Sequence, residues 1–199
     1  LKLFLEKYDV DGFRFDLADL LGIGVLRQIE TELKKIKPSV ILIAEPWSFR
    51  GRISGALADT GWASWNDGFR EFMLKYALGK GDFEGFKYFM GGSRGAEYRF
   101  PAQTVNYLES HDDMCLFDRI ASNLENPTEE DLRRYKMAVS FVLMAIGIPM
   151  LAEGCDMVRT KGGLSNTYKN ASANALDYTR ASRFSGTGQW IRALTKFRR

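Results

Sequence analysis

The chain has 199 residues, 28 of them basic and 25 acidic, for a formal net charge of +3. A composition of 45% hydrophobic and 13% aromatic side chains predicts a globular fold with a substantial core and excludes a disordered chain. The charges are interspersed without a basic stripe, which argues against a nucleic-acid partner, and no run of eighteen apolar residues predicts a membrane span.

Two cysteines, Cys115 and Cys155, do not form a disulfide framework and lack metal-ligand spacing. They read as ordinary thiols, each following a predicted strand. Their rarity fits a reducing compartment and slightly favours a cytoplasmic location. Leu1 opens what reads as mid-helix, and Trp190 to Arg199 reads as another helix, so the expectation is a piece of a longer protein.

Apolar positions 1, 3, 4, 5 and 8 predict the end of an amphipathic helix over Leu1–Tyr8. Val10 to Leu17 then reads as a buried strand ending at Asp16. Leu21, Val25, Ile29, Leu33 and Ile36 recur at helical spacing, with lysines loading the last turn and Pro38 as the stop. Val40–Ala44 is a second apolar strand, ending at Glu45.

The same unit recurs further on. Gly61–Asp67 reads as a third strand end, with a helix from about 69 to 78. Residues 79–101 are Gly-rich and aromatic, a loop or a short-helix insertion. Thr104–Glu109 is a fourth strand running into His111 and Asp112. Thr128 N-caps a helix beginning at Glu129, whose acidic first turn suits the dipole, and Gly147 and Pro149 end it. Ile148–Ala152 is a fifth strand, followed by a polar loop over 159–185 and a final helix.

Apolar strands alternating with helices predict an α/β fold with a parallel sheet. Five such strands suit an open sheet or part of a (β/α)8 TIM barrel, and the acidic candidates all fall at strand C-terminal ends, where both architectures place their sites.

Glycosidic bond cleavage with retention needs one carboxylate nucleophile and one carboxylic acid about 5 Å apart. Neighbouring parallel strands lie about 4.8 Å apart, so acids ending adjacent strands can reach that separation. Asp16 and Glu45, 29 residues apart, leave room for one strand–helix–strand step. Arg14 shares a strand face with Asp16 and would keep it ionised. Glu45 needs a raised pKa, which the apolar run before it and Pro46-Trp47 could supply. His111 and Asp112 can bind vicinal sugar hydroxyls. Each motif alone has a bland reading: a turn or cap for Asp16, an Arg14–Asp16 ion pair, a loop position for Glu45, a helix cap for Asp112. Their joint order at strand ends favours a site.

Gly12-Phe-Arg-Phe-Asp16, Glu45-Pro46-Trp47 and Ser110-His111-Asp112 resemble three signature regions of the α-amylase family of glycoside hydrolases, and the resemblance runs over essentially the whole chain. It implies a (β/α)8 barrel of which residues 1–199 supply strands four to eight as a single catalytic domain truncated at the N-terminus. It also implies a retaining double-displacement mechanism with Asp16 as nucleophile, Glu45 as acid/base and Asp112 as the third acid, supported by Arg14 and His111.

The flanks look most like pullulanases, isoamylases and glycogen-debranching enzymes, through Trp65-Asn-Asp-Gly-Phe-Arg70, Val105-Asn-Tyr-Leu-Glu109 and Arg159-Thr-Lys161 with Asn166 and Tyr168. That implies hydrolysis of α-1,6 links in pullulan, glycogen or limit dextrins, with no cofactor and no catalytic metal. Trp47, Trp65, Arg159, Asn166 and Tyr168 become candidate glucan contacts, with Trp62 and Trp65 each either a stacking platform or core. Asp113-Met114 and Cys155-Asp156 depart from the debranching pattern. An α-1,4-acting amylase or glucanotransferase is the alternative within the family, and a non-catalytic glucan-binding barrel the alternative outside catalysis.

Overall fold

The computed structural model describes residues 1–199. The chain divides into two compact units. One comprises residues 1–66, 91–105 and 146–148; the other comprises 67–90, 106–145 and 149–199.

In the first unit, α1 (Lys2–Tyr8) leads through Asp9, in a left-handed conformation, to β1 (Gly12–Phe15). Helix α2 (Gly22–Ile36) buries Leu26 and Leu33, and Lys34 and Lys35 occupy its last turn. Lys37 ends it, pairing with Asp9 and Asp11 at 3.2 and 3.1 Å, so the helix stop also fixes the entry to β1. Strand β2 (Ile41–Ala44) follows, then a short hairpin of β3 (Trp47–Ser48) and β4 (Gly51–Arg52), the four-residue helix α3 (Ser54–Leu57) and β5 (Ala63–Trp65). Strand β6 covers Thr104–Asn106 and β7 covers Ile148–Pro149.

The sheet order is β1-β2-β5-β6-β7, and β1/β2, β2/β5 and β5/β6 are parallel, as expected. Gly12 faces Ile41 in the β1/β2 register, and a Cβ built on Gly12 would stand 2.1 Å from the Ile41 carbonyl oxygen. Strand β2 is not buried on both faces: Ile41 is exposed while Leu42 and Ala44 are buried. Leu5, Leu26, Leu33, Leu42, Ala44 and Trp62 form the core of this unit. Trp62 is fully buried and donates its indole N–H to the Leu26 carbonyl at 3.1 Å, so it is core and not a sugar platform.

The second unit is helical. It holds α4 (Asp67–Ala77), α5 (Phe83–Met90), α6 (Leu116–Ile120), α7 (Glu129–Met144), α8 (Ala171–Asn174), α9 (Thr179–Arg183) and α10 (Ser185–Arg198). Thr128 opens α7 with a reciprocal cap. Its hydroxyl accepts the Asp131 N–H at 3.1 Å, and the Asp131 carboxylate accepts the Thr128 N–H at 3.0 Å. Tyr135, Ala138, Val139 and Val142 of α7 join Phe69, Met73 and Phe117 in the core. The aromatic insertion resolves into α5, whose Phe86 stacks on Tyr76 at 4.7 Å and meets Phe141 edge-on at 5.4 Å.

The fourth and fifth strands are shorter than predicted. The expected Thr104–Glu109 ends at Asn106, and Ile148–Ala152 ends at Pro149. Beyond the first, the Glu109 carboxylate accepts the Leu116 N–H at the start of α6. No helix is long and apolar enough to cross a membrane.

Candidate active site

Asp16 and Glu45 each directly follow a strand of one parallel pair, in which Phe15 faces Ala44. The backbone ties the two ends together: the Glu45 N–H donates to the Phe15 carbonyl at 2.9 Å, and the Ala18 N–H donates to the Glu45 carbonyl at 3.0 Å. Between them, Leu17 takes a left-handed φ of 44°. That turn aims the Leu17 N–H at Glu45 Oε2, 2.8 Å away.

Arg14 joins the two acids. Its Nη1 donates to Asp16 Oδ1 and its Nη2 lies 3.1 Å from Glu45 Oε2. The guanidinium lies 4.2 Å from the centre of the Trp65 ring, and Trp47 meets Trp65 edge-on at 5.9 Å. Trp65 is only 4% exposed, so its face supports Arg14, whereas Trp47 is half-buried.

The environments of the acids differ. The Asp16 side chain is 62% exposed; Glu45 is 2% exposed. Burial pushes the Glu45 carboxyl up, against the Leu17 N–H and the Arg14 charge. The Asp16 charge and a hydrogen bond shared by the two carboxyls push it further up. A buried acid with a raised pKa beside an exposed, arginine-paired carboxylate is an arrangement that acid-plus-nucleophile chemistry can use.

The second unit holds His111 and Asp112, half-exposed, with His111 Nε2 3.6 Å from Asp112 Oδ1. The Asp112 N–H donates to Ser110 Oγ at 3.3 Å. Asp113, at a left-handed φ of 50°, pairs with Arg70 at 3.1 Å, and its carbonyl accepts from Lys161 Nζ. A cavity of about 250 Å³ in this unit is lined by His111, Arg159 and Tyr168 among the predicted residues. Arg159 donates to the Asn174 carbonyl at 2.9 Å, and Tyr168 is 73% exposed. Asn166 is exposed, at a φ of 51°, and does not line that cavity.

Three further lining residues were not singled out from sequence: Glu109, Lys161 and Asn174. Glu109 is 7% exposed, and burial pushes its carboxyl up to about 7, against the Leu116 N–H and the Arg159 charge. An acid closing the apolar run Val105-Asn-Tyr-Leu was the available signal. Asp118 anchors the loop that carries Lys161, accepting from Thr160 Oγ1 and from the N–H groups of Lys161 and Gly163. Cys115 lines the cavity, and burial pushes its thiol and that of Cys155 up to about 12, so both are protonated and inert.

Comparison with known proteins gives a consistent set of relatives. Pullulanase of Bacillus subtilis is 32% identical over 223 residues, covering 98% of this chain and 31% of its own length. The chain is a homologue of debranching enzymes. An isoamylase from a Flavobacterium species is 25% identical over 258 residues, covering all of this chain and 32% of its own length. The crystal structure of B. subtilis pullulanase type I complexed with maltose superimposes with a TM-score of 0.87 at 31% identity, over 98% of this chain and 31% of that one. Pullulanase from an Anoxybacillus species, complexed with maltotriose, gives 0.86 at 31% identity, over 99% of this chain and 31% of that one.

No family model matches the chain. Isoamylases and pullulanases are glycoside hydrolases, and this chain spans about a third of the length of these relatives. Its α/β architecture with a parallel sheet is that of a partial barrel.

Proposed function

We propose that this chain carries the catalytic acids of a retaining α-glucan hydrolase that cleaves α-1,6 links, as part of one (β/α)8 catalytic domain. The observation that carries the reading is the Arg14 bridge between an exposed Asp16 and a buried Glu45. One guanidinium touching both carboxyls holds them close together, which favours direct attack over activation of an intervening water. The names of the relatives favour a branch linkage, and the maltose and maltotriose complexes of the neighbours favour an oligosaccharide ligand.

In this mechanism Asp16 attacks the anomeric carbon while Glu45 gives its proton to the leaving glycosidic oxygen. Burial raises the Glu45 pKa, which favours its role as donor, and Arg14 holds the Asp16 carboxylate in place. Once protonated oxygen has left, Glu45 is the base that activates water against the glycosyl–Asp16 ester. Asp112 grips vicinal hydroxyls as the ring flattens, with His111 beside it. Trp47, Arg159, Asn166 and Tyr168 contact the glucan, and Trp65 acts through Arg14.

The test is product analysis with the full-length protein on pullulan and amylose. Maltotriose from pullulan, lost in Asp16→Asn, supports the reading. Activity confined to amylose removes the α-1,6 assignment, and full activity of Asp16→Asn removes the site.

A further inference from the structure

A second cavity of about 250 Å³ lies in the helical unit, bounded by the segments 157–160 and 176–183 together with Glu125. Three arginines line it: Arg159, Arg180 and Arg183. Each spends its hydrogen bonds on neutral backbone. Arg159 donates to the Asn174 carbonyl and, at 3.5 Å, to that of Glu153. Arg180 Nε donates to the Val158 carbonyl at 2.9 Å, and Arg183 Nη2 to the Glu125 carbonyl.

A guanidinium in such a position normally meets a carboxylate or a phosphate, often with two parallel hydrogen bonds. Here the carboxylates on the cavity wall are Glu125 and Asp177, and Asp177 is already committed to the Thr179 N–H and hydroxyl at 3.0 and 2.6 Å. They act on Arg180 only through longer-range attraction.

Arg180 is the telling member. It is 6% exposed, wedged between Phe117 and Phe184 with ring centres at 5.4 and 4.9 Å, and its Nη2 has no hydrogen-bond partner. Burial, followed by repulsion from Arg183, pushes its pKa down. A buried charge left this way costs stability unless an anion completes the site.

We propose that this arginine-lined cavity binds a phosphate group, either inorganic phosphate or the phosphate of a small monoester. Arg180, fixed by two aromatic faces, supplies the central donor. Arg183, exposed on the same helix, and Arg159 close on the anion from either side. A divalent oxyanion replaces the missing carboxylate and neutralises the mutual repulsion of the guanidinium groups.

The experiment is calorimetric titration of the full-length protein with inorganic phosphate and, separately, with a hexose monophosphate, against chloride at matched ionic strength. The expected result is saturable binding of at least one phosphate probe and none of chloride. Arg183→Gln and Arg180→Gln should each weaken binding roughly tenfold or more, the loss expected for one charge-assisted hydrogen bond. Tighter binding of the hexose monophosphate identifies a monoester site, and binding of inorganic phosphate alone identifies a free-anion site. Arg183 is exposed, so its variant reads the site even where Arg180→Gln fails to fold. No saturable phosphate binding, or binding unchanged in Arg183→Gln, overturns the proposal.

Discussion

The Arg14 guanidinium lies over Trp65, 4.2 Å from the ring centre, so one buried indole backs the cation that contacts two acids. Lysine keeps the charge but has neither the fork nor the planar face. Arg14→Lys should lower kcat on pullulan by about a hundredfold, the loss of two charge-assisted hydrogen bonds. Steady-state kinetics on the full-length protein check it; a change under threefold would mean that the bridge is structural only.

The pH dependence has a definite sign. As the proposed acid, Glu45 donates only when protonated, so activity should fall as pH rises through its raised pKa. The Arg14 charge pulls that pKa down. Arg14→Gln removes the pull, so the residual activity should lose its basic limb at higher pH than wild type, while Arg14→Lys keeps the limb near its original place. A limb in Arg14→Gln that moves to lower pH contradicts the assignment of Glu45 as the acid.

Glu109 makes stability itself depend on pH. Its carboxyl stands at about 7 in the fold against an ordinary 4.5. A raised pKa means that the folded state holds the proton longer, so this contribution is complete below about 4.5 and lost as pH rises through about 7. The span is worth roughly 3 kcal/mol. Urea unfolding at intervals from pH 4.5 to 8 should show wild type losing stability relative to Glu109→Gln across that window. Parallel curves would show that Glu109 does not titrate there.

Gly12→Ala tests the strand pair under the acids. A methyl 2.1 Å from the Ile41 carbonyl cannot be accommodated unless β1 moves off β2. The expected cost is about 3 kcal/mol or more, seen as a lower urea midpoint, with loss of activity in whatever remains folded.

Asp118→Ala removes the acceptor for three donors in the loop that carries Lys161. Two of them are backbone N–H groups, so about 3 kcal/mol should be lost. Amide exchange at Lys161 and Gly163 should quicken more than exchange at Leu26 in the other unit. Equal protection at all three positions would argue against a local role.

The alternation of apolar strands with amphipathic helices made the parallel sheet legible, because burial leaves a periodic record in the chain. Thr128 was readable as a cap because its three-residue partner Asp131 is local. Asp16, Arg14 and Glu45 were readable as strand-end residues, and the structure brings those three together. Trp65 stayed open between core and sugar platform in the sequence, and only packing shows that it is buried with Arg14 against its ring. Helix α6 and the capping acid Glu109 were missed because five helical residues carry no period. Their bond links positions 109 and 116 through a turn that sequence does not specify.

Leu17 is a branched aliphatic held at a φ that such residues seldom adopt, and its amide hydrogen is what Glu45 receives. The Glu45 carboxyl is thereby oriented by main chain as well as by the Arg14 side chain. Loops around it can diverge from relative to relative, and reshape what fits, without disturbing the direction in which the acid points. A glycine at position 17 would adopt the same turn at less strain, yet would also give the peptide freedom to rotate away, trading a fixed aim for a loose one.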